Sequence, residues 1–375
     1  MHVVHLIAAA RRGGAEQLLL LIGRELQRSG TQTSVVFFDD GPMRERFESA
    51  GLSCRVLGGH GACRPSAILR IARVLADVRP DVVHFHGVRA LTHGAPAAHL
   101  TRTPMVYSTH AVSSVKNATY GRLAPGYLWL EGRCSRAFAA AVVATSERMR
   151  ADLVETGGID RDMVRVIPPC IDLDVLPPVT PFLRAAARAR FGLEGRVVGM
   201  VGRLIPVKGH AVMLHALTAL PDTTLLLAGD GPERGALDSL AEALGIRERV
   251  VRLGDTSDVA AVFHASDVVA YPSTQGIIGL AALEAMACGV PLVASEQPGV
   301  LDFVEPGRTG LLSPAGDAVA LARTVGALLD DRRWATASAE AGRDEVRERF
   351  GPAAVAQAYR DLYGAIVPAT AANAA

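Results

Sequence analysis

Lysine is nearly missing from this chain. Only Lys116 and Lys208 occur in 375 residues, so that 37 of the 39 basic residues are arginine. A sequence that writes almost every positive charge as arginine and still keeps a lysine shows either a chance exception to codon bias on a solvated surface or a narrow space beside a phosphate. A compact ammonium fits there and a planar guanidinium does not. Cysteine is sparse as well. The five cysteines, Cys54, Cys63, Cys134, Cys170 and Cys288, are odd in number and none falls in a C-x-x-C spacing. Neither a disulfide framework nor a zinc site is suggested, and a reducing, cytoplasmic compartment is expected. Net charge is lacking too: 39 basic residues against 38 acidic ones leave +1. That gives no electrostatic footprint for nucleic acid, so an anionic ligand must be met locally. Long apolar runs are absent. Leu18 to Ile22 and Ala137 to Ala144 fall short of the roughly 18 residues that span a bilayer. The apolar start, Met1 to Ala10, lacks a basic leader and runs into Arg11-Arg12-Gly13-Gly14. It reads as a first strand, not a signal peptide.

What is present is a repeated alternation. Short β-branched runs at Val3 to Ile7, Ser34 to Phe38, Val82 to Phe85, Met105 to Tyr107, Ala141 to Ala144 and Val164 to Ile167 are separated by helix-period stretches such as Ala15 to Arg28 and Ser66 to Val78. Strands apolar on both faces and alternating with helices indicate a parallel sheet covered on both sides. Prolines at 168, 169, 177, 178 and 181 then mark a linker. The pattern restarts with strands at Val197 to Val201, Thr224 to Leu227, Val250 to Leu253, Val268 to Tyr271 and Leu292 to Ala294, and helices near His210 to Leu220, Glu233 to Leu244, Leu280 to Ala287 and Ala318 to Leu329. The expectation is two Rossmann-like, doubly wound α/β domains, residues 1–176 and 177–352, facing a cleft at the carboxyl ends of their strands. A last helix, about 353–365, is expected to cross back onto the first domain, with a frayed tail from Pro368.

Two segments carry the chemistry. Gly202-Arg203-Leu204-Ile205-Pro206-Val207-Lys208-Gly209 follows a strand and feeds a helix. Backbone N–H groups at a helix start, an arginine fork and a lysine point charge together suit a diphosphate. The stretch Tyr271 to Pro291 reads as strand, glycine loop (Gln275 to Leu280, with Gly276 and Gly279), helix and stop at Gly289. Glu284 shares its helix with Leu280, Leu283 and Ala287, so it points into a covered place, where a carboxylate can accept both hydroxyls of a ribose.

With these residues in view, the chain resembles the family 4 retaining glycosyltransferases of the two-domain GT-B fold, over nearly its whole length. The resemblance implies that Arg203 and Lys208 hold the diphosphate of a nucleoside-diphosphate sugar, with Glu284 on its ribose and Gln275, Gly276, Ile277, Ile278, Gly279 and Leu280 in the donor loop. Gly13-Gly14-Ala15-Glu16 looks like the family's glycine loop, which would bring N–H groups of Gly13 and Gly14 to the phosphate and place Glu16 toward the acceptor. Thr109-His110 matches the family's histidine, which meets the donor sugar near the scissile bond. By resemblance, then, His110, Arg203 and Lys208 are the catalytic set. Ser146-Glu147 also fits the pattern, and Pro169-Cys170-Ile171-Asp172 sits where the family usually has Asn-Gly-Val-Asp. One departure stands out: eight positions before Glu284, where the family commonly has a glutamate for hexose hydroxyls, this chain has Gly276. Gln275 or the N–H groups of Ile277 and Ile278 stand in, or the donor sugar differs, or activity is lost.

Other motifs are weighed against blander readings. Asp172-Leu173-Asp174 matches a metal-binding D-x-D but sits among prolines and reads as a solvated turn. His84 and His86 share one strand face and could ligate a metal; no third ligand has a sensible spacing, so polar cleft lining is expected. Gly229-Asp230-Gly231-Pro232 lacks a third glycine and reads as a turn near the nucleotide base. The stretch Lys116 to Arg136 interleaves Tyr120, Leu123, Tyr127, Leu128, Trp129 and Leu130 with basic residues. It suits either an anionic membrane surface, and with it a lipid-linked acceptor, or a core-facing helix with a charged side. Lys116 is a candidate acceptor contact.

The expected activity is transfer of a hexosyl unit from a UDP- or GDP-sugar to an acceptor hydroxyl, with retention, no metal and no cofactor, in the cytoplasm or at the inner face of a membrane. The rivals are a nucleotide-sugar epimerase or hydrolase on the same fold, and a catalytically weak binding subunit, the latter prompted by Gly276.

Overall fold

The computed structural model describes residues 1–10, 14–58, 65–110, 113, 121–274 and 279–372. The chain divides into two compact units, Met1–Cys170 with Pro352–Ala375, and Ile171–Gly351.

The first unit is built on a parallel seven-stranded sheet. Its strands are β1 (His2–Ala9), β2 (Gln32–Asp39), β3 (Ser53–Val56), β4 (Val82–His86), β5 (Met105–Ser108), β6 (Ala139–Ala144) and β7 (Val164–Val166). The spatial order is β3-β2-β1-β4-β5-β6-β7. Its helices are α1 (Gly14–Arg28), α2 (Arg44–Ser49), α3 (Pro65–Val78), α4 (Val88–Leu100), α5 (Ala124–Phe138) and α6 (Glu147–Glu155). Every residue of β4 and β5 is buried, as expected of central strands covered on both faces. The order reverses between β1 and β4, and in such sheets the crevice at that reversal is where ligands bind.

The second unit repeats the plan. After α7 (Pro181–Phe191) come β8 (Arg196–Val201), α8 (His210–Leu217), β9 (Thr223–Ala228), α9 (Arg234–Ala243), β10 (Val250–Gly254), α10 (Val259–Ala265), β11 (Val268–Tyr271), α11 (Leu280–Ala287), β12 (Leu292–Ser295), α12 (Pro298–Leu301), β13 (Leu311–Ser313), α13 (Ala318–Asp330) and α14 (Arg332–Arg349). The strands are parallel in the order β10-β9-β8-β11-β12-β13, with the reversal between β8 and β11.

The last helix, α15 (Pro352–Ala372), belongs to the first unit. Val355, Ala356, Tyr359, Tyr363 and Ile366 join Leu18, Leu21, Ile22 and Leu26 of α1 and Val3, Val82 and Val106 of the sheet in one core. The helix runs past Pro368, where a frayed tail is expected from the sequence. The edge strands β3 and β13 lack the β-branched apolar run of the other strands and have no counterpart in the sequence reading. Among the described residues, no helix is long and apolar enough to cross a membrane.

Candidate active site

The switch point of the second unit gathers the residues singled out from the sequence. β8 ends at Val201, and the chain turns through Gly202 and Arg203 into a short 3₁₀ turn, Pro206–Lys208, before Gly209 opens α8. Gly209 has φ of 73°, and a Cβ there would stand 2.0 Å from the carbonyl oxygen of Pro272. Only glycine permits that approach. The approach ties the loop to the segment after β11: the N–H of Thr274 donates to the carbonyl of Val207 at 2.9 Å, and the Ser273 hydroxyl donates to the same oxygen at 3.0 Å.

Lys208 therefore stands beside β11. Its Nζ donates to the Tyr271 hydroxyl at 3.3 Å and lies 5.3 Å from the centre of that ring. The ring in turn crosses Gly279, where a Cβ would come within 2.2 Å of it. Arg203 is exposed. Neither Arg203 nor Lys208 makes an ion pair among the described residues, so both charges are available to a ligand. Beneath the loop lies His210, a residue not singled out from the sequence, with its ring buried. Burial first, and then the charge of Lys208, lowers its pKa to about 4, while the carbonyls of Gly202 and Ile205 pull the other way. It is a neutral, buried ring close to the Lys208 cation. Beside the loop a cavity of about 400 Å³ opens at the ends of β8, β9 and β10, lined by Gly202, Arg203, Gly229, Asp230, Asp255 and Thr256 among others.

Glu284 lies one turn into α11 and is half-buried. Desolvation pushes its pKa up to about 7. Its carboxylate makes no hydrogen bond or ion pair among the described residues. A partly covered carboxylate left without donors is one prepared for donors from a ligand. Leu280, in the first turn of α11, is 39% exposed. Gln275, Gly276, Ile277 and Ile278 lie outside the described residues.

In the first unit, β1 ends at Ala9 and Gly14 opens α1, with Glu16 half-buried in its first turn. Gly13 and Lys116 lie outside the described residues. His110 follows β5 and is half-buried; His86 Nδ1 and His110 Nε2 are 3.2 Å apart. Ser146 caps α6, its side chain accepting from the N–H of Met149 at 3.0 Å. Asp172 similarly caps a single 3₁₀ turn by accepting from the N–H of Asp174, so the D-x-D spacing is turn chemistry.

His84 and His86 do not line a polar cleft. Both are buried, His84 under Tyr363 of α15, because the helix that returns from the second unit covers this face. The third histidine that spacing could not supply comes from β1: His5 is the register neighbour of His84, and His5, His84 and His86 place ligand nitrogens within 4.8 Å of one another. These nitrogens are largely engaged. His84 bonds the Tyr363 hydroxyl and the Ser108 hydroxyl, each at 2.7 Å, and His5 Nδ1 meets His86 Nε2 at 3.0 Å. Burial holds His5 at about 3 and pushes His84 and His86 well below the usual histidine range. A divalent ion would have to break those bonds and carry its charge into a cluster that contains no carboxylate. The geometry is that of a neutral hydrogen-bonded row.

Two doubly wound parallel sheets in one chain, with a glycine loop carrying Arg203 and Lys208 at the switch point of the second, fit one class: a two-domain glycosyltransferase of the GT-B type. The comparisons agree with it. Residues 12–175 match the model for Glycosyltransferase Family 4, and residues 184–354 that for Glycosyl transferases group 1. The D-inositol 3-phosphate glycosyltransferase of Xylanimonas cellulosilytica is 34% identical over 338 residues, covering 84% of this chain and 78% of that protein. The protein of the same description from Mycobacterium sp. (strain KMS) is 35% identical over 267 residues, covering 66% of this chain and 59% of that protein. Among solved structures, Anabaena HepE in complex with UDP is 26% identical with a TM-score of 0.85, covering 97% of this chain and 100% of that one. HepE with UDP-glucose is 25% identical with a TM-score of 0.81, again covering 97% and 100%. The chain belongs to glycosyltransferase family 4, a family of retaining enzymes.

Proposed function

We propose that this glycosyltransferase moves a hexosyl unit, glucosyl first among them, from a UDP-sugar to an acceptor hydroxyl with retention. The observation that carries the reading is the pair of cations on the Gly202–Gly209 loop, Arg203 and Lys208, which make no ion pair among the described residues. Arg203 and Lys208 bind the diphosphate and stabilise the charge that develops as it leaves, which calls for no metal. The Lys208 ammonium, braced by Tyr271, is small enough to sit against a phosphate oxygen. Glu284 accepts the ribose hydroxyls. The cavity beside Gly229 and Asp230 takes the base. In the first unit, the Gly13-Gly14 segment is assigned N–H groups for phosphate, His110 the donor sugar, and Glu16 and Lys116 the acceptor. That division of labour makes the first unit the acceptor domain and the second the nucleotide-sugar domain. No side chain among the described residues is assigned as a covalent nucleophile. The leaving phosphate oxygen takes the acceptor proton on the face from which it departs. HepE, crystallised with UDP-glucose, supports a UDP-sugar donor.

The acceptor reading is coarser. Leu123, at 68% exposure just before α5, and Trp129, at 64% within it, alternate along the chain with exposed Arg122 and Arg133, a mix that suits the surface of an anionic membrane and a lipid-linked acceptor.

A thermal-shift screen of UDP-, GDP- and ADP-glucose, with the matching free nucleotides, tests the donor. UDP and UDP-glucose are expected to raise the melting temperature most. Stabilisation by GDP or ADP compounds alone overturns the choice of base, and no shift with any of them overturns the site.

A further inference from the structure

The second unit carries a further cavity, at the opposite end of its sheet from Arg203 and Lys208. It measures about 920 Å³ and opens at the amino ends of β8, β11 and β12, reaching across to α7 and α14. The strand β8 is six residues long, so at about 3.3 Å per residue the cavity lies about 20 Å from the donor loop.

Helical spacing brings arginine to this place. Arg184 and Arg188 are one turn apart on α7, and Arg332 and Arg343 share a face of α14 with Glu340. With Arg196 at the start of β8, five arginines line the wall against three acids, Asp267, Asp330 and Glu340. Two of those acids are already engaged. Asp267 Oδ1 accepts from Arg184 Nη1 at 2.6 Å, and its Oδ2 accepts from Arg188 Nη2 at 2.7 Å and from the N–H of Val197 at 2.9 Å. Asp330 pairs with Arg196 at 2.8 Å.

The arginines divide into braces and open groups. Arg188 is a brace, since its Nε also donates to the carbonyl of Ala265 at 3.0 Å and its Nη1 to that of Gly195 at 3.1 Å. Arg332 is exposed, and its guanidinium makes no hydrogen bond or ion pair among the described residues. Arg343 Nε is buried without a hydrogen-bond partner, 4.0 Å from a carboxylate oxygen of Asp344. Arg184 spends one nitrogen on Asp267. Burial first lowers its pKa, Asp267 pulls it up, and the charges of Arg188 and Arg332 push it down again. Like charges gathered around too little acid repel one another, and an anion among them relieves that repulsion.

We infer that this cavity is a second anion site, for a small soluble molecule carrying two or more phosphate groups, held by the open guanidinium groups of Arg184, Arg332 and Arg343. Planar arginine forks match phosphate oxygens in pairs. The volume exceeds what one phosphate ion needs and falls in the range of about 300–1,000 Å³ usual for small-molecule sites. Asp267 and Arg188 are positioning residues that fix Arg184 against the sheet edge. Glu340 is the one lining acid without a partner among the described residues, and it turns away ligands of low charge. The site stands apart from Arg203 and Lys208, and its occupancy does not depend on theirs.

Calorimetric titration of pyrophosphate into the full chain, with and without saturating UDP, tests it. The wild type is expected to bind pyrophosphate in the presence of UDP, and more tightly than it binds inorganic phosphate. The double variant Arg332→Gln with Arg343→Gln is expected to weaken that binding by about 10-fold to 100-fold at an unchanged affinity for UDP. Lys208→Ala is expected to leave it as it is. Absence of pyrophosphate binding in the wild type overturns the inference, as does equal binding in the double variant. Equal affinity for inorganic phosphate and pyrophosphate, the sign of an adventitious ion only, overturns it too. Cosedimentation with phosphatidylglycerol vesicles that needs the same arginines, without pyrophosphate binding, overturns the soluble ligand in favour of a lipid headgroup. Should the double variant not fold, Arg332→Gln alone removes an exposed group without a partner. It is then expected to weaken pyrophosphate binding several-fold, and an unchanged affinity overturns the site. A wild type that binds pyrophosphate but not UDP contradicts the donor reading alone, because the variants are compared without UDP as well.

Discussion

Lys208 and Glu284 show how a residue's setting turns into a measurable property. The Glu284 carboxyl, pushed up to about 7 by desolvation, holds its proton in the folded state at pH values where the unfolded chain has lost it. Between the ordinary glutamate range and about 7 the native state therefore binds more protons, so stability falls as pH rises through that window. Donor affinity runs the other way, because ribose hydroxyls donate to the ionised form. UDP affinity is expected to rise as pH goes from 6 to 8 while the melting temperature declines, and Glu284→Gln to flatten both trends. Calorimetry and thermal melts across that range check it; a donor affinity that is flat with pH in the wild type contradicts the ribose assignment. The placement of Lys208 and Glu284 was legible in the sequence because it depends on local spacing: a glycine loop after a strand, and a carboxylate on a helix rich in apolar residues. Tyr271, His210 and His5 were not. Each acts through a contact set by strand register or loop closure, and no spacing along the chain announces that His5 of β1 will face His84 and His86 of β4.

At the scale of elements, the active loop is held by one close approach. Gly209, with φ of 73° and the Pro272 carbonyl where a Cβ would be, locks the 3₁₀ turn that carries Lys208 onto the end of β11. Gly209→Ala meets both backbone strain and a clash with main chain, and is expected to cost about 1–3 kcal/mol or more of stability and to weaken UDP binding as Lys208 is displaced. Denaturant unfolding and UDP titration of the same variant check this; a neutral effect on both would show that the loop is not held in this way. Long elements were legible from their periodicity, since α1 and the central strands bury continuous apolar runs. The strands β3 and β13 were not, because Ser53-Cys54-Arg55-Val56 and Leu311-Leu312-Ser313 are partly exposed edge strands without the β-branched run that marked the others. Helix α15 was legible as a helix but not in extent, since its second half depends on packing against α1 and the sheet more than on its own sequence.

The whole molecule repeats one plan twice, and each sheet puts its candidate groups at its own point of reversal: the β8–β11 end for Arg203, Lys208 and Glu284, and the β1–β4 end for the Gly14 helix start and the histidine row. The alternation of strands and helices and the proline-rich stretch near residue 170 made that plan readable in advance. What could not be read was that the final helix would bury the His84–His86 face, because that depends on α15 folding into the first unit from the far end of the chain. The central claim is that two cations in the second unit hold the donor's diphosphate. Calorimetric titration of UDP into the wild type and into Lys208→Ala tests it without any knowledge of the acceptor. Loss of one charge-assisted contact is expected to weaken UDP binding by about 10-fold to 100-fold at an unchanged melting temperature. UDP affinity that is the same in both proteins would contradict the account.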